Sequence, residues 1–549
     1  MTSHYRLAAA VVAAALFGVP VRASAQQDTS TRGDTTAHRG AATSKRTPEP
    51  PPPPDATTRG TVNGIAYSAT AGTITVGATD IDDAQLGPDG NPQPGSELAL
   101  NAPKDPKDAP PTARMFYVAY LKTGVRAEDR PITFFYNGGP GSATVWLHMG
   151  SLGPKHVVTA GDTHLPAAPY TLVDNPNTLL DVSDLVFIDM PGTGFGRLLG
   201  KDPGKAFWGL DQDGSAFARF IARFLSKYGR WNSPKYIFGE SYGTTRSAVL
   251  AADLERSESI DLNGVILLSQ IFNFNTDIDF PANNPNSDLA VELGLPTFAA
   301  TAWYHKKLPQ QPPALEPFLT QVEQFALGPY AHALAEGTDL GAEEKQQVAE
   351  KLHEYTGLPA AYWAKADLRV NGGEFRKMLQ DSTDVTTGRL DTRFSGPDLD
   401  PLSEGAQYDP QSAAISSAYI ALFNDYVRKV LKYGEGQTYL PRAPFNGAHW
   451  EFRENNGEAG ANVSGDLARA MKMNPRLKVM VNGGYFDLAT PFFTAEYEDK
   501  HLPIPQSLAK NIQYDWYESG HMVYVRDESL KQLHDRVATF ITTSEKGTQ

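Results

Sequence analysis

Short apolar runs and helical stripes alternate along much of this chain. Residues 131–136, 184–190, 236–238, 264–268 and 477–481 are nearly all apolar and end at glycine, proline, aspartate or another polar residue. That is the pattern of strands buried on both faces. Between two of them, Phe217, Phe220, Ile221, Phe224 and Leu225 recur at i, i+3, i+4, i+7 and i+8, the core-facing stripe of an amphipathic helix. A last strand is expected over 512–517, followed by a closing helix with Leu530, Leu533, Val537, Phe540 and Ile541 on one face. Strand–helix–strand alternation predicts a mainly parallel sheet covered on both faces. Ahead of it, 62–69 and 73–79 read as strands around a turn at Ala71-Gly72, 80–111 as loop, and 113–121 as an alternating strand.

From about residue 272 to 457 the alternation stops. Helical segments at 315–335, 341–356, 373–380 and 413–433 dominate, separated by loops rich in Pro, Asp and Asn. They are expected to form a helical cap inserted into the sheet domain, whose two parts are 60–271 and 458–549. A separate helical domain of unrelated function is the competing expectation.

The first 25 residues read as a secretory signal: Arg6, an apolar run over 7–17, and Ala23-Ser24-Ala25 as an A-x-A cleavage site. The apolar run is short for a membrane span. Residues 26–59, ending near Pro50–Pro54, lack the apolar content to offset ordering entropy and are expected to be a disordered linker. Loss of Arg6 and Arg22 with the leader takes the formal charge from −14 to −16, which argues against nucleic acid or anionic lipid as partner. There is no cysteine, so disulfides and thiolate metal sites are excluded. The expected setting is a bacterial envelope or medium, with no membrane span after leader removal and the oligomeric state open.

The chemistry centres on Gly239-Glu240-Ser241-Tyr242-Gly243. It joins a buried strand to a helical pattern, the context that makes Gly-x-Ser-x-Gly a nucleophile elbow. A serine needs a base within hydrogen-bond reach, and that base needs an orienting carboxylate. Asp487 and His521, each just past a later predicted strand, complete the order Ser, Asp, His of an α/β-hydrolase. The other histidines lie before the elbow, in the expected cap, or away from a strand end, and Asp515 is the rival acid, inside a strand. Asn137-Gly138-Gly139-Pro140-Gly141-Ser142 follows an early strand, where this fold places half of an oxyanion hole. Pro191-Gly192-Thr193-Gly194-Phe195-Gly196 has no lysine at phosphate-loop spacing and reads as cleft wall. No His-Glu-x-x-His or clustered histidine pair points to a metal, and no cofactor is expected.

Five blocks in order resemble the serine carboxypeptidases, acid-active α/β-hydrolase exopeptidases. They are Asn137 to Ser142, Asp189 to Phe195, Gly239 to Gly243, Gly484-Tyr485-Phe486-Asp487, and Gly520-His521-Met522-Val523. The resemblance implies Ser241 as nucleophile, His521 as base and Asp487 as orienter. It implies oxyanion donors at the Gly139 and Tyr242 N–H groups, and a site for a peptide's terminal carboxylate at Asn137, the Gly138 N–H and Glu240. Three departures stand out, one being that the cap and the N-terminal strands differ from the family's, which leaves the preferred side chain open. The chain lacks the family's cysteines, and Ser151 stands before Leu152-Gly153-Pro154 where the family carries a glutamate that pairs with the one beside the nucleophile. An exported esterase or acyltransferase with the same triad, and a catalytically silent binding protein on the same fold, are the alternatives.

Overall fold

The computed structural model describes residues 52–445, 450–452 and 461–546. The expected leader and the linker as far as residue 51 lie outside them. The linker ends earlier than residue 59: strand β1 (Ala56–Val62) pairs antiparallel with β2 (Ile65–Gly77). Their turn is Asn63-Gly64, with φ of 50° and 78°, the two left-handed residues of a tight hairpin. Ala71-Gly72 is therefore not a turn but the middle of β2. There a Cβ on Gly72 would meet Asp55 Oδ1 at 2.1 Å.

Beyond β3 (Thr112–Lys122) come the expected buried strands, β4 (Ile132–Tyr136), β5 (Asp184–Ile188), β6 (Lys235–Glu240), β7 (Gly264–Leu268), β8 (Lys478–Gly484) and β9 (Ile512–Tyr517). The sheet runs β1-β2-β3-β5-β4-β6-β7-β8-β9, antiparallel as far as β5 and parallel from there on. A short strand, Arg197–Leu199, adds to β3. This order, with helical crossovers on both faces, is the α/β-hydrolase fold. Registers pair Tyr136 with Gly239, Glu240 with Leu268, Leu268 with Asn482, and Gly484 with Tyr517. The carboxyl ends of β4, β6, β7, β8 and β9 thus reach one edge together, where ligands of such sheets bind.

Each face of the sheet carries its own core. On one lie α2 (Leu210–Tyr228), α3 (Tyr242–Arg256) and α8 (Ser464–Met473), with Phe217, Phe220, Phe224, Leu250 and Leu467 buried. On the other lie α1 (Val145–Gly150), α7 (Pro410–Lys429) and α9 (Asp527–Lys546), with Met149, Tyr419, Phe423, Leu530 and Val537. Each such buried side chain contributes about 1.5–3 kcal/mol relative to exposure.

The inserted region divides. Residues 289–379 build a third core around α4 (Leu289–Tyr304), α5 (Leu315–Phe325) and α6 (Ala342–Thr356), where Phe298 and Phe375 stack at 4.0 Å. Helix α7 instead belongs to the sheet's own core. It starts at Pro410, behind Asp409, which accepts from the Ser412 N–H. The pattern of the sequence does not reveal α4, because it is apolar nearly all round and carries Pro296 inside, so no amphipathic period marks it. The expected single helix over 315–335 is broken by a π turn, Ala326–Tyr330, that contains Pro329.

Candidate active site

Strand β6 is buried throughout and ends at Ser241, whose φ of 61° and ψ of −133° are strained for any residue but glycine. The sharp turn leaves no room for side chains on either flank. A Cβ on Gly239 would lie 2.2 Å from Gly243 O, and one on Gly243 2.8 Å from Tyr136 O. Ser241 N donates to Leu268 O (3.0 Å) and Ser241 O accepts from Thr244 N (2.7 Å). Its hydroxyl makes no capping bond to α3.

Asp487 lies three residues past β8, with four donors converging on it. Oδ1 accepts from the N–H groups of Ala489 (2.9 Å) and Thr490 (3.0 Å), and Oδ2 from Thr490 Oγ1 and His521 Nδ1, both at 2.7 Å. With Nδ1 committed to Asp487, Nε2 is the nitrogen free to take a proton. Burial by itself lowers the basicity of His521, but the charge and hydrogen bond of Asp487, helped by Glu240, outweigh it and hold the ring above its ordinary value. Strand β7 ties the pieces together: Leu268 O accepts from Ser241 N, and the next residue, Ser269, donates through Oγ to His521 O (2.7 Å). Asp515, the rival acid, pairs instead with Arg536 at 3.2 Å.

A third support comes from 388–394, an irregular stretch of the inserted region. Leu390 O accepts from His521 N (2.6 Å), Arg389 O from Leu488 N (3.1 Å), and Thr392 N donates to Phe486 O (2.9 Å). It therefore spans the acid loop and the histidine loop. No periodicity or motif marks this stretch in the sequence. Thr490 is a local partner: the Asp487 side chain turns onto the backbone N–H two residues on, which sets the Thr490 hydroxyl against Oδ2.

The glycine loop after β4 rests on the start of α3. A Cβ on Gly138 would come within 2.4 Å of Tyr242 N, and Gly139 has φ 114°. Among the described residues, neither the Gly139 nor the Tyr242 N–H has an acceptor. Asn137 anchors the loop: its Oδ1 accepts from Leu147 N (3.0 Å), and its backbone carbonyl accepts from Arg246 Nη1 (2.7 Å). Its Nδ2 donates to Glu240 Oε1 (3.0 Å), and Tyr524 Oη donates to Glu240 Oε2 (2.8 Å). Glu240 is 3% exposed. Burial, with the charge of Asp487 adding, pushes it up to about 7 against the pull of His521, Tyr524 and Asn137. Ser151 gives its hydroxyl to Leu147 O (2.6 Å), so burial, and not a second acid at that position, keeps Glu240 high. Nothing local in the sequence points to Tyr524.

Elsewhere, His148 is buried, bonded to Tyr120 Oη at 2.7 Å, and lowered to about 3 by burial. One trio on the inserted region, exposed His332 and Glu344 with half-buried Glu336, has ligand atoms within 4.8 Å of one another. A cavity of about 460 Å³ lined by Asn273, Thr276, Asp466, Arg469, Glu498 and His501 includes none of Ser241, Asp487, His521, Glu240 or the glycine loop. Among the described residues, no helix is long and apolar enough to cross a membrane.

A family model described as serine carboxypeptidase matches residues 107–317, which hold both glycine loops and the elbow. That stretch is similar to the serine carboxypeptidases. Pheromone-processing carboxypeptidase KEX1 of Yarrowia lipolytica is 28% identical over 142 residues, 25% of this chain and 21% of the relative. Serine carboxypeptidase-like 36 of Arabidopsis thaliana is 26% identical over 179 residues, 31% of this chain and 34% of the relative. The matched segments span about a third or less of these curated relatives. Among solved structures, Kex1(delta)p, a prohormone-processing carboxypeptidase from Saccharomyces cerevisiae, superposes with a TM-score of 0.51 at 14% identity. The match covers 86% of this chain and 91% of that one. At that identity the likeness speaks for the fold.

Proposed function

We propose that the protein is an exported serine carboxypeptidase that releases C-terminal amino acids from peptides through an acyl-enzyme. The observation that carries this reading is the buried His521–Asp487 pair at 2.7 Å, tied through β7 to a strained Ser241. Ser241 Oγ attacks the scissile carbonyl while His521 Nε2 takes its proton, and Asp487 stabilises the imidazolium. The oxyanion lies against the Gly139 and Tyr242 N–H groups, at the positive end of α3. His521 then protonates the departing amine, and water attacks the acyl-serine by the same route in reverse. The substrate's free carboxylate is held by Asn137, the Gly138 N–H and a protonated Glu240. An ionised Glu240 would repel it at low dielectric. No step in this scheme needs a metal or cofactor.

Incubation with N-blocked dipeptides tests the reading: free C-terminal amino acids should appear, and Ser241→Ala or His521→Ala should lower kcat by about a millionfold. A serine-directed phosphonate should label Ser241. Full activity of Ser241→Ala would overturn the mechanism.

Two pH limbs follow. KM for a free acid should rise as pH passes about 7, where Glu240 ionises, while kcat should fall at low pH as His521 is protonated. A peptide amide should escape the KM rise. An esterase or acyltransferase on the same triad is the second reading, favoured by the deep burial of Glu240 with both oxygens already bonded. Equal KM rises for acid and amide would support it.

A further inference from the structure

Glu240 sits among five side chains from four parts of the chain. Asn137 reaches it from the glycine loop, and His521 and Asp487 act on it through their charge. Tyr524, three residues past His521, donates to Oε2 at 2.8 Å. Tyr419, on α7, lies close enough for its phenol to sense the Glu240 charge, and its Oη is buried without a hydrogen-bond partner among the described residues. The two tyrosines pack on Gly150. A Cβ there would stand 2.4 Å from Tyr419 Oη and 2.8 Å from Tyr524 Cδ2, both at van der Waals overlap. Glycine at 150 thus leaves the space that the Tyr419 and Tyr524 rings occupy.

We propose that Tyr524 is a positioning residue that fixes the orientation and proton occupancy of Glu240, and so sets the pH range in which a free substrate carboxylate is accepted. The last clause rests on the carboxypeptidase reading; the first does not. A phenol keeps its proton across the working range, and burial beside Glu240 pushes Tyr524 higher still. It therefore donates to Glu240 in either charge state. A donor favours the ionised carboxylate, so Tyr524 opposes burial. An acid in its place would have done the reverse, by like-charge repulsion. The bond also stops the Glu240 side chain from turning away from the glycine loop, leaving Asn137 Nδ2 on the other oxygen.

The test reads Glu240 directly. The full chain, labelled with ¹³C at glutamate carboxyls, is titrated by NMR, with Glu240→Gln identifying the signal. In Tyr524→Phe the Glu240 midpoint should move up by about one pH unit, as expected for loss of one hydrogen bond to a carboxylate. With 3-fluorotyrosine incorporated at 524, a stronger donor of the same shape, the midpoint should move down. This second arm decides the matter if the phenylalanine variant folds poorly. A Glu240 midpoint unchanged in both arms overturns the proposal whatever the enzyme's activity. The same proteins are then assayed with a blocked dipeptide and its amide. In Tyr524→Phe the KM limb for the acid should follow the NMR midpoint upward, giving about tenfold tighter KM on that limb than the parent, with the amide unaffected. A midpoint that moves with no acid–amide difference overturns the carboxylate clause and the functional reading with it, and supports the Tyr524–Glu240 link alone.

Discussion

Asp487 accepts four hydrogen bonds, and only one of the four comes from His521, the base of the proposed mechanism. Asp487→Asn should therefore keep the loop in place while presenting an amide to His521 Nδ1, which favours the wrong imidazole tautomer. A fall in kcat of about ten-thousandfold with an unchanged thermal midpoint is expected. A variant that keeps near-parental kcat would mean that His521 is oriented by something other than Asp487. Much of this site was legible one residue at a time. Ser241 announced itself through its glycines, and Asp487 and His521 through their strands and order. Tyr524 did not, because its role depends on a partner 284 positions away in the chain.

At the scale of elements, one guanidinium joins three of them. Arg246 on α3 is fully buried, gives Nε to Asp213 of α2 (2.6 Å) and Nη1 to the Asn137 carbonyl (2.7 Å), and lies 4.4 Å from the centroid of the Phe217 ring. Burial pushes Asp213 up to about 6 although Arg246 pulls it down. Arg246→Met strands that carboxyl and the carbonyl that seats the glycine loop, and should cost about 3–5 kcal/mol in urea unfolding. Adding Asp213→Leu should recover part of the loss, because a buried pair replaced by apolar groups is often near neutral. A single variant within about 1 kcal/mol of the parent would show that α2, α3 and the loop dock without this ion pair. Element boundaries were partly legible. The buried strands stood out as apolar runs, whereas α4, apolar on every side, had no period to detect, and the β1–β2 hairpin turned at Asn63-Gly64, not at the expected Ala71-Gly72.

For the whole molecule, the notable charges are buried acids. Asp189, Glu240 and Glu498 are each pushed up to about 7 by burial, and Asp499 well above its ordinary range. Asp499 Oδ1 accepts from Gln270 Nε2 at 3.0 Å, and its Oδ2 is buried without a hydrogen-bond partner among the described residues. A carboxyl whose folded value is raised contributes stability that is full below the ordinary carboxylate range and lost as pH rises through about 7. Raised His521 acts in the same direction. His148, held neutral, acts in the opposite direction, removing stability as pH falls below its ordinary range. The acids outnumber it, so the thermal midpoint should fall between about pH 5 and about pH 8. Asp499→Asn should flatten that fall. A midpoint that climbs over the same interval would show that these carboxyls ionise freely in the fold.

The sequence alone determined what acts over a few residues: apolar runs that must be buried as strands, glycines that a sharp turn cannot replace, and the order of Ser241, Asp487 and His521. Only the tertiary structure decided which of these meet and in what charge state. It set β5 between β3 and β4, ran 388–394 across the acid and histidine loops, drew α7 into the sheet's core, and closed Glu240 beneath Tyr524. The division is physical. Periodicity and turn sterics are local and can be read along the chain, whereas burial, which raises the proton affinity of Glu240 and Asp499, depends on what residues hundreds of positions distant leave open to water.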